Sequence, residues 1–131
     1  MDARIHTPDP QSEYATDERC HILELLNAPD DAAVSVARAR VAAGVTTRWH
    51  RLRDTAERYV ILEGSGRVEI ADLPATTVQA GDVVSIPPLC PQRIANTGAT
   101  DLVFLAICTP RFRPENYLDA EEHPATGRGT G

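Results

Sequence analysis

A chain of 131 residues, 42% of them hydrophobic, has the length of one domain and enough apolar mass to bury a core. Its formal net charge of -6 argues against the basic face of a nucleic-acid binder, and no run of like charge marks a membrane or polyanion patch. No apolar stretch reaches the roughly 18 residues of a transmembrane helix, and "MDARIHTPDPQSEY" lacks the apolar centre of a signal peptide, so a cytoplasmic protein with no membrane partner is expected.

Residues 1–18 are polar and proline-bearing and read as an arm with little structure of its own. From there to residue 118 the chain is a series of short apolar stretches parted by turn residues. In order they are "CHILELL", "AVSVARARV", "RYVILEG", "GRVEIADL", "TTVQAGDVVSIP", "PQRIANTG" and "DLVFLAICTP". Valine, isoleucine and threonine dominate, residue class alternates, and no segment keeps a helical period for three turns. Short antiparallel strands in a sandwich or barrel are therefore expected. "EGSG" at residues 63–66 reads as a hairpin turn, with "NAPDD" and "NTGATD" as further turns. "TPRFRPENYLDAEEH" has room for one short helical turn, and residues 119–131 read as a flexible tail. The three cysteines, Cys20, Cys90 and Cys108, form no CxxC pair and read as free thiols; Cys108 ends an apolar run and is a core candidate.

Two spacings stand out. From Gly44 come five residues, His50, one residue, Leu52, four residues, Glu57, six residues and Gly64. From Gly81 come five residues and Pro87, followed by Gln92, three residues and Asn96. This pattern resembles the two motifs of the cupin superfamily, G-x5-H-x-H-x3,4-E-x6-G and G-x5-P-x-G-x2-H-x3-N. The resemblance covers residues 44–96 and implies an all-β, double-stranded β-helix (a jelly-roll barrel) of antiparallel strands spanning residues 19–118. It further implies one divalent metal held by residues at the motif's histidine and glutamate positions. Here those positions carry His50, Leu52, Glu57 and Gln92, and Leu89 stands at a motif glycine. Leucine cannot coordinate, so the metal candidates reduce to His50, Glu57 and Gln92. Such a mixed nitrogen and oxygen set suits zinc, iron, nickel or manganese and leaves positions open to substrate.

Alternation along the strands puts Leu52 on the face of His50, and puts Tyr59 and Ile61 on the face of Glu57. An inward carboxylate in a small barrel needs a cation, an arginine or a proton, because its desolvation costs several kcal/mol. Arg38, Arg40 and Arg48 are candidate partners and, with Tyr59, candidate ligand-binding residues. Arg38 and Arg40 share one parity and point together into the barrel or together out of it. Trp49 has the opposite parity to His50 and is expected outside the barrel, packed on another strand or subunit. For each of these residues a structural reading also stands: a satisfied core histidine, a strand-end glutamate, a turn glutamine, a charged outer face, a core tyrosine.

Two functions follow. One is a small-molecule enzyme using a divalent metal in the barrel, with dioxygenase-, isomerase- or cyclase-like chemistry on an anionic or enolizable substrate. The other is a metal-free barrel that binds a sugar or carboxylate, or works by acid–base residues alone. A lesser third reading is a sensor or structural cupin whose pocket is vestigial, and none of these involves nucleic acid. Cupins of this size pair through sheets, and "CHILELL" is a candidate exchanged edge strand, so a homodimer is expected.

Overall fold

The computed structural model describes residues 1–121. Of the expected tail, residues 122–131 lie outside the described residues. The described residues form eleven strands: β1 (Tyr14–Ala15), β2 (His21–Leu26), β3 (Ser35–Val41), β4 (His50–Leu52), β5 (Ala56–Glu63), β6 (Ser65–Ile70), β7 (Thr76–Gln79), β8 (Val83–Ile86), β9 (Gln92–Asn96), β10 (Leu102–Thr109) and β11 (Tyr117–Asp119). They build two sheets, one ordered β1-β2-β3-β10-β5-β8 and the other β11-β4-β9-β6-β7. Every strand pair within them is antiparallel. The two faces meet over a core in which Val41, Ile61, Ile94 and Leu102 keep 1% or less of their surface. This is the all-β jelly roll expected from the sequence. The expected helical turn is a single 3-10 turn at Pro114–Asn116, and among the described residues no helix is long and apolar enough to cross a membrane.

Alternation holds where it matters for the site. In β5, Glu57, Tyr59 and Ile61 are buried while Arg58 and Leu62 are exposed. In β3, Ser35, Ala39 and Val41 are buried, which settles the phase of the intervening arginines.

The segment "EGSG" is not a hairpin. β5 belongs to the six-stranded sheet and β6 to the five-stranded one, so the chain turns a corner between layers at Gly64. That glycine has φ +84°, and a Cβ there would stand 2.7 Å from the Asp101 carbonyl oxygen. Both the left-handed backbone and the close approach require glycine. Asn96, at the motif's last position, is structural. Its Nδ2 donates to the carbonyls of Val41 and Thr100 at 2.8 Å, and its Oδ1 accepts from Gly98 N at 2.9 Å, satisfying a buried side chain.

The N-terminal stretch has more structure than its composition suggests. β1 pairs with β2 through Tyr14 and Ile22, and Glu13 binds Arg40 at 2.6 Å and Arg38 at 3.4 Å. β2 is thereby flanked by β1 and β3 and is no free edge for exchange. Among the described strands the open sheet edges are β1, β8, β7 and β11.

Gly64→Ala is expected to lower the unfolding free energy by about 2 kcal/mol or more, since it combines strain with a backbone clash. Gly44→Ala, at φ +80° but with nothing within 4 Å of the added carbon, should cost about 1 kcal/mol of backbone strain alone. Urea unfolding of both variants measures the difference.

Candidate active site

At one end of the barrel the sheets part around a cavity of about 110 Å³, lined among others by Glu18, Cys20, His50, Glu57, Tyr59 and Cys108. His50 opens β4 and is buried. Its Nδ1 lies 2.9 Å from the Arg48 carbonyl oxygen, and its ring stacks on Tyr117 at 5.3 Å and 16°. With Nδ1–H donating to that carbonyl, Nε2 keeps its lone pair and faces the cavity.

Glu57 is held between Cys108 of β10 and Ile86 of β8 as its cross-strand neighbours. It is 9% exposed, and its Oε1 has no hydrogen-bond partner. Gln92 starts β9 directly opposite His50 and is 1% exposed. The Tyr59 hydroxyl donates to Gln92 Oε1. The Gln92 amide nitrogen is thereby turned to Glu57, where its hydrogen bond favours the carboxylate.

Burial pushes the Glu57 carboxyl up to about 7; His50 and the Gln92 amide oppose the shift, and the charge of Glu18 adds to it. Glu18 is also raised, by desolvation against a smaller opposing effect of His50. Its Oε1 stands 3.9 Å from His50 Nε2. Burial raises Tyr59 too, so it remains a phenol and a donor. The thiols are not activated: burial lifts Cys20 to about 11 and Cys108 to about 12, and raises Cys90 as well.

The candidate residues thus divide. His50, Glu57, Tyr59 and Gln92 come together. Arg38 and Arg40 do not: Ala37 and Ala39 of β3 line the cavity, while both arginines lie on the outer face, bound to Glu13, with Arg40 also 3.3 Å from Asp101. Arg48 lies outside the inner cavity, paired with Asp119 at 3.1 Å. The anion-binding pocket that two inward arginines would make is therefore absent, and the cavity walls carry carboxylates instead. Trp49 is buried outside the main core, against Ala120, with the Arg93 guanidinium 4.6 Å from its ring centre. Glu18 was not among the sequence candidates. Its approach to His50 spans a fold contact that no local spacing encodes, and the only cue was an acidic residue close before the first strand.

The donor set does not suit a resident divalent ion. A stable site needs about three protein ligands. Among the described residues, no group of three His, Cys, Asp or Glu side chains could hold a metal ion. Gln92, the third member of the sequence-derived set, gives its oxygen to Tyr59 and its nitrogen to Glu57. Leu52, buried at 4% exposure, fills the remaining motif position with hydrocarbon.

A jelly-roll barrel enclosing a largely apolar cavity into which His50, Glu57 and Glu18 are set accords with a small-molecule enzyme or ligand-binding barrel. The family model described as "Cupin domain" matches residues 37–108, and the chain belongs to the cupin family. A relative 34% identical over 105 residues, covering 79% of this chain and 83% of its own length, is the uncharacterized protein MJ1618 of Methanocaldococcus jannaschii. Among solved structures, the nucleoside dehydratase Pac13 matches with a TM-score of 0.73 at 13% identity, over 90% of this chain and 92% of that one. Variants of the Streptomyces protein were solved with uridine. KdgF from Halomonas sp. matches with a TM-score of 0.72 at 12% identity, over 83% and 96% of the two chains. At these identities the structures share the fold.

The raised Glu57 pKa is a linkage statement. Between about pH 4.5 and 7 the folded chain holds a proton on Glu57 that the unfolded chain releases. Stability therefore falls as pH rises through that window and levels off above it. Glu57→Gln should be more stable than the native chain at alkaline pH, by on the order of 3 kcal/mol. The difference should vanish at the acidic end of the window. Urea unfolding across pH measures it, and a variant less stable at every pH contradicts it.

Proposed function

We propose that this cupin is a metal-independent acid–base enzyme that moves a proton on a small, uncharged, hydroxylated molecule. The observation that carries the reading is Glu57: a buried carboxyl with an unpartnered oxygen, titrating near neutrality in a cavity it shares with the lone pair of His50. A general base or acid works best when its pKa lies near the operating pH.

Near neutrality the Glu57 carboxyl is divided between its acid and carboxylate forms. The carboxylate form of Glu57 takes a proton from a C–H made acidic by a neighbouring carbonyl. The cavity's other acid then returns a proton, either to the opposite face of the carbon or to a departing hydroxyl. Isomerisation, epimerisation and dehydration all fit this scheme. Gln92 and Tyr59 orient the carboxylate: the phenol anchors the amide oxygen, and the amide lies beside Glu57, whose buried Oε1 has no protein partner. Carboxylate walls disfavour anions, so the substrate is neutral rather than a carboxylate or phosphate. Chemistry of this class accords with a nucleoside dehydratase among the proteins of like fold, though that likeness by itself extends to the fold alone.

The test is proton exchange. Neutral aldoses, ketoses and oxidised nucleosides are incubated with the protein in heavy water, and C–H to C–D exchange is followed by NMR. One or more should exchange, and Glu57→Gln and His50→Gln should each slow the exchange by about 100-fold or more. Prior dialysis against a chelator should leave the rate unchanged. Near-stoichiometric metal in the purified protein, with exchange lost on chelation and restored by the metal, overturns the reading in favour of a metal-dependent cupin.

A further inference from the structure

Beside the inner cavity lies an outer recess of about 740 Å³, and Tyr14, Thr16, Glu18 and Phe112 line both spaces. Two things distinguish the recess. Its walls carry three aromatic rings from three separate segments: Tyr14 of β1, Phe112 beyond β10, and Tyr117 of β11. Tyr117 also stacks on His50, so the ring wall leads to the candidate base. The second feature is charge. Asp17, Glu18 and Asp119 face one cation, Arg48, which Asp119 already engages at 3.1 Å.

The sizes are equally informative. The inner cavity of about 110 Å³ has room for a small hydroxylated fragment, whereas the recess of about 740 Å³ has room for a second, larger group. Flat aromatic surfaces favour a planar ring through stacking. An acidic surround with its cation engaged repels phosphate.

We propose that the recess is a ring-binding subsite. On the acid–base reading above, the ligand is then a neutral molecule in which a flat heteroaromatic or aryl ring is joined to a hydroxylated group. The ring lies against Tyr14, Phe112 and Tyr117, and the hydroxylated group reaches past Glu18 to His50 and Glu57. Nucleosides and aryl glycosides share this chemistry. Free sugars lack the ring, and nucleotides carry a charge the recess opposes.

Calorimetry, with the NMR signals of His50 as a reporter of the inner cavity, tests this using uridine, adenosine, phenyl β-glucoside, ribose, glucose and uridine monophosphate. A ring-bearing neutral probe should bind at least ten-fold more tightly than its free sugar and shift the His50 signals. The tighter of the nucleosides and the aryl glycoside names the ring. The phosphate should weaken binding by ten-fold or more. Tyr14→Ala and Phe112→Ala should each reduce affinity for the ring-bearing probe by about ten-fold and that for the free sugar by clearly less. Both side chains lie at the mouth, outside the main core cluster, and an unchanged melting temperature verifies the fold. Equal binding of free sugar and ring-bearing probe, with His50 shifted by both, overturns the subsite and leaves the acid–base reading standing. Tighter binding of the monophosphate than of uridine overturns the neutral-ligand claim. If no probe shifts His50, the subsite fails, and the exchange experiment in heavy water judges the underlying reading independently.

Discussion

An unpaired carboxylate inside a small β-barrel is an expensive arrangement, and the rest of this site is organised around Glu57. Moving such a group out of water costs several kcal/mol. A structural protein would remove it, pair it with an arginine or give it a metal. Here the nearby arginines are turned outward, and the two motif positions that could add imidazole ligands hold Leu52 and Gln92. A proton on Glu57 offsets the cost of burying it, and burial accordingly pushes its carboxyl up toward neutrality. The cost is borne because the surrounding core is dense: Ile61 and Phe104 pack beside Tyr59, and the buried amide of Gln92 locks one side of the carboxylate.

Distribution of charge follows the same logic on a larger scale. The outer face of the six-stranded sheet carries Arg38 and Arg40, which tie Glu13 and so fasten the N-terminal stretch to the barrel. Such half-exposed pairs contribute little to stability individually. Their effect is positional, because the stretch they anchor ends at Glu18, the carboxylate nearest His50 Nε2. Arginines thus lie on the outer face while the carboxyl groups of Glu18 and Glu57 line the cavity.

Much of the fold was legible because it rests on local signals. Alternation in residues 56–63 placed Glu57, Tyr59 and Ile61 on one face, and the glycine spacing marked Gly64 as a required turn. The nature of that turn was not legible. A hairpin and a corner between sheets both call for glycine, and only the approach of Asp101, 37 residues away in sequence, distinguishes them. The phase of β3 was open for a related reason. "VARARV" alternates alanine with arginine, so either face was chemically plausible until Ala39 and Val41 met the opposite sheet. Glu18 was invisible because its role depends on the N-terminal stretch folding back onto β2, and composition there gave no apolar pattern.

Leu52 does more than remove a ligand: at the end of β4 it is buried, and its carbonyl accepts the Leu89 amide at 2.7 Å, joining the two motif regions through backbone and hydrocarbon. A histidine there would need a polar partner, which a metal supplies and an apolar wall does not. With leucine in place, that motif position contributes hydrocarbon and no ligand. Loss of one ligand and gain of an acid near neutrality are thus two results of the same substitution pattern. Burial alone, without a full imidazole ligand set, is enough to push the Glu57 carboxyl up toward neutrality.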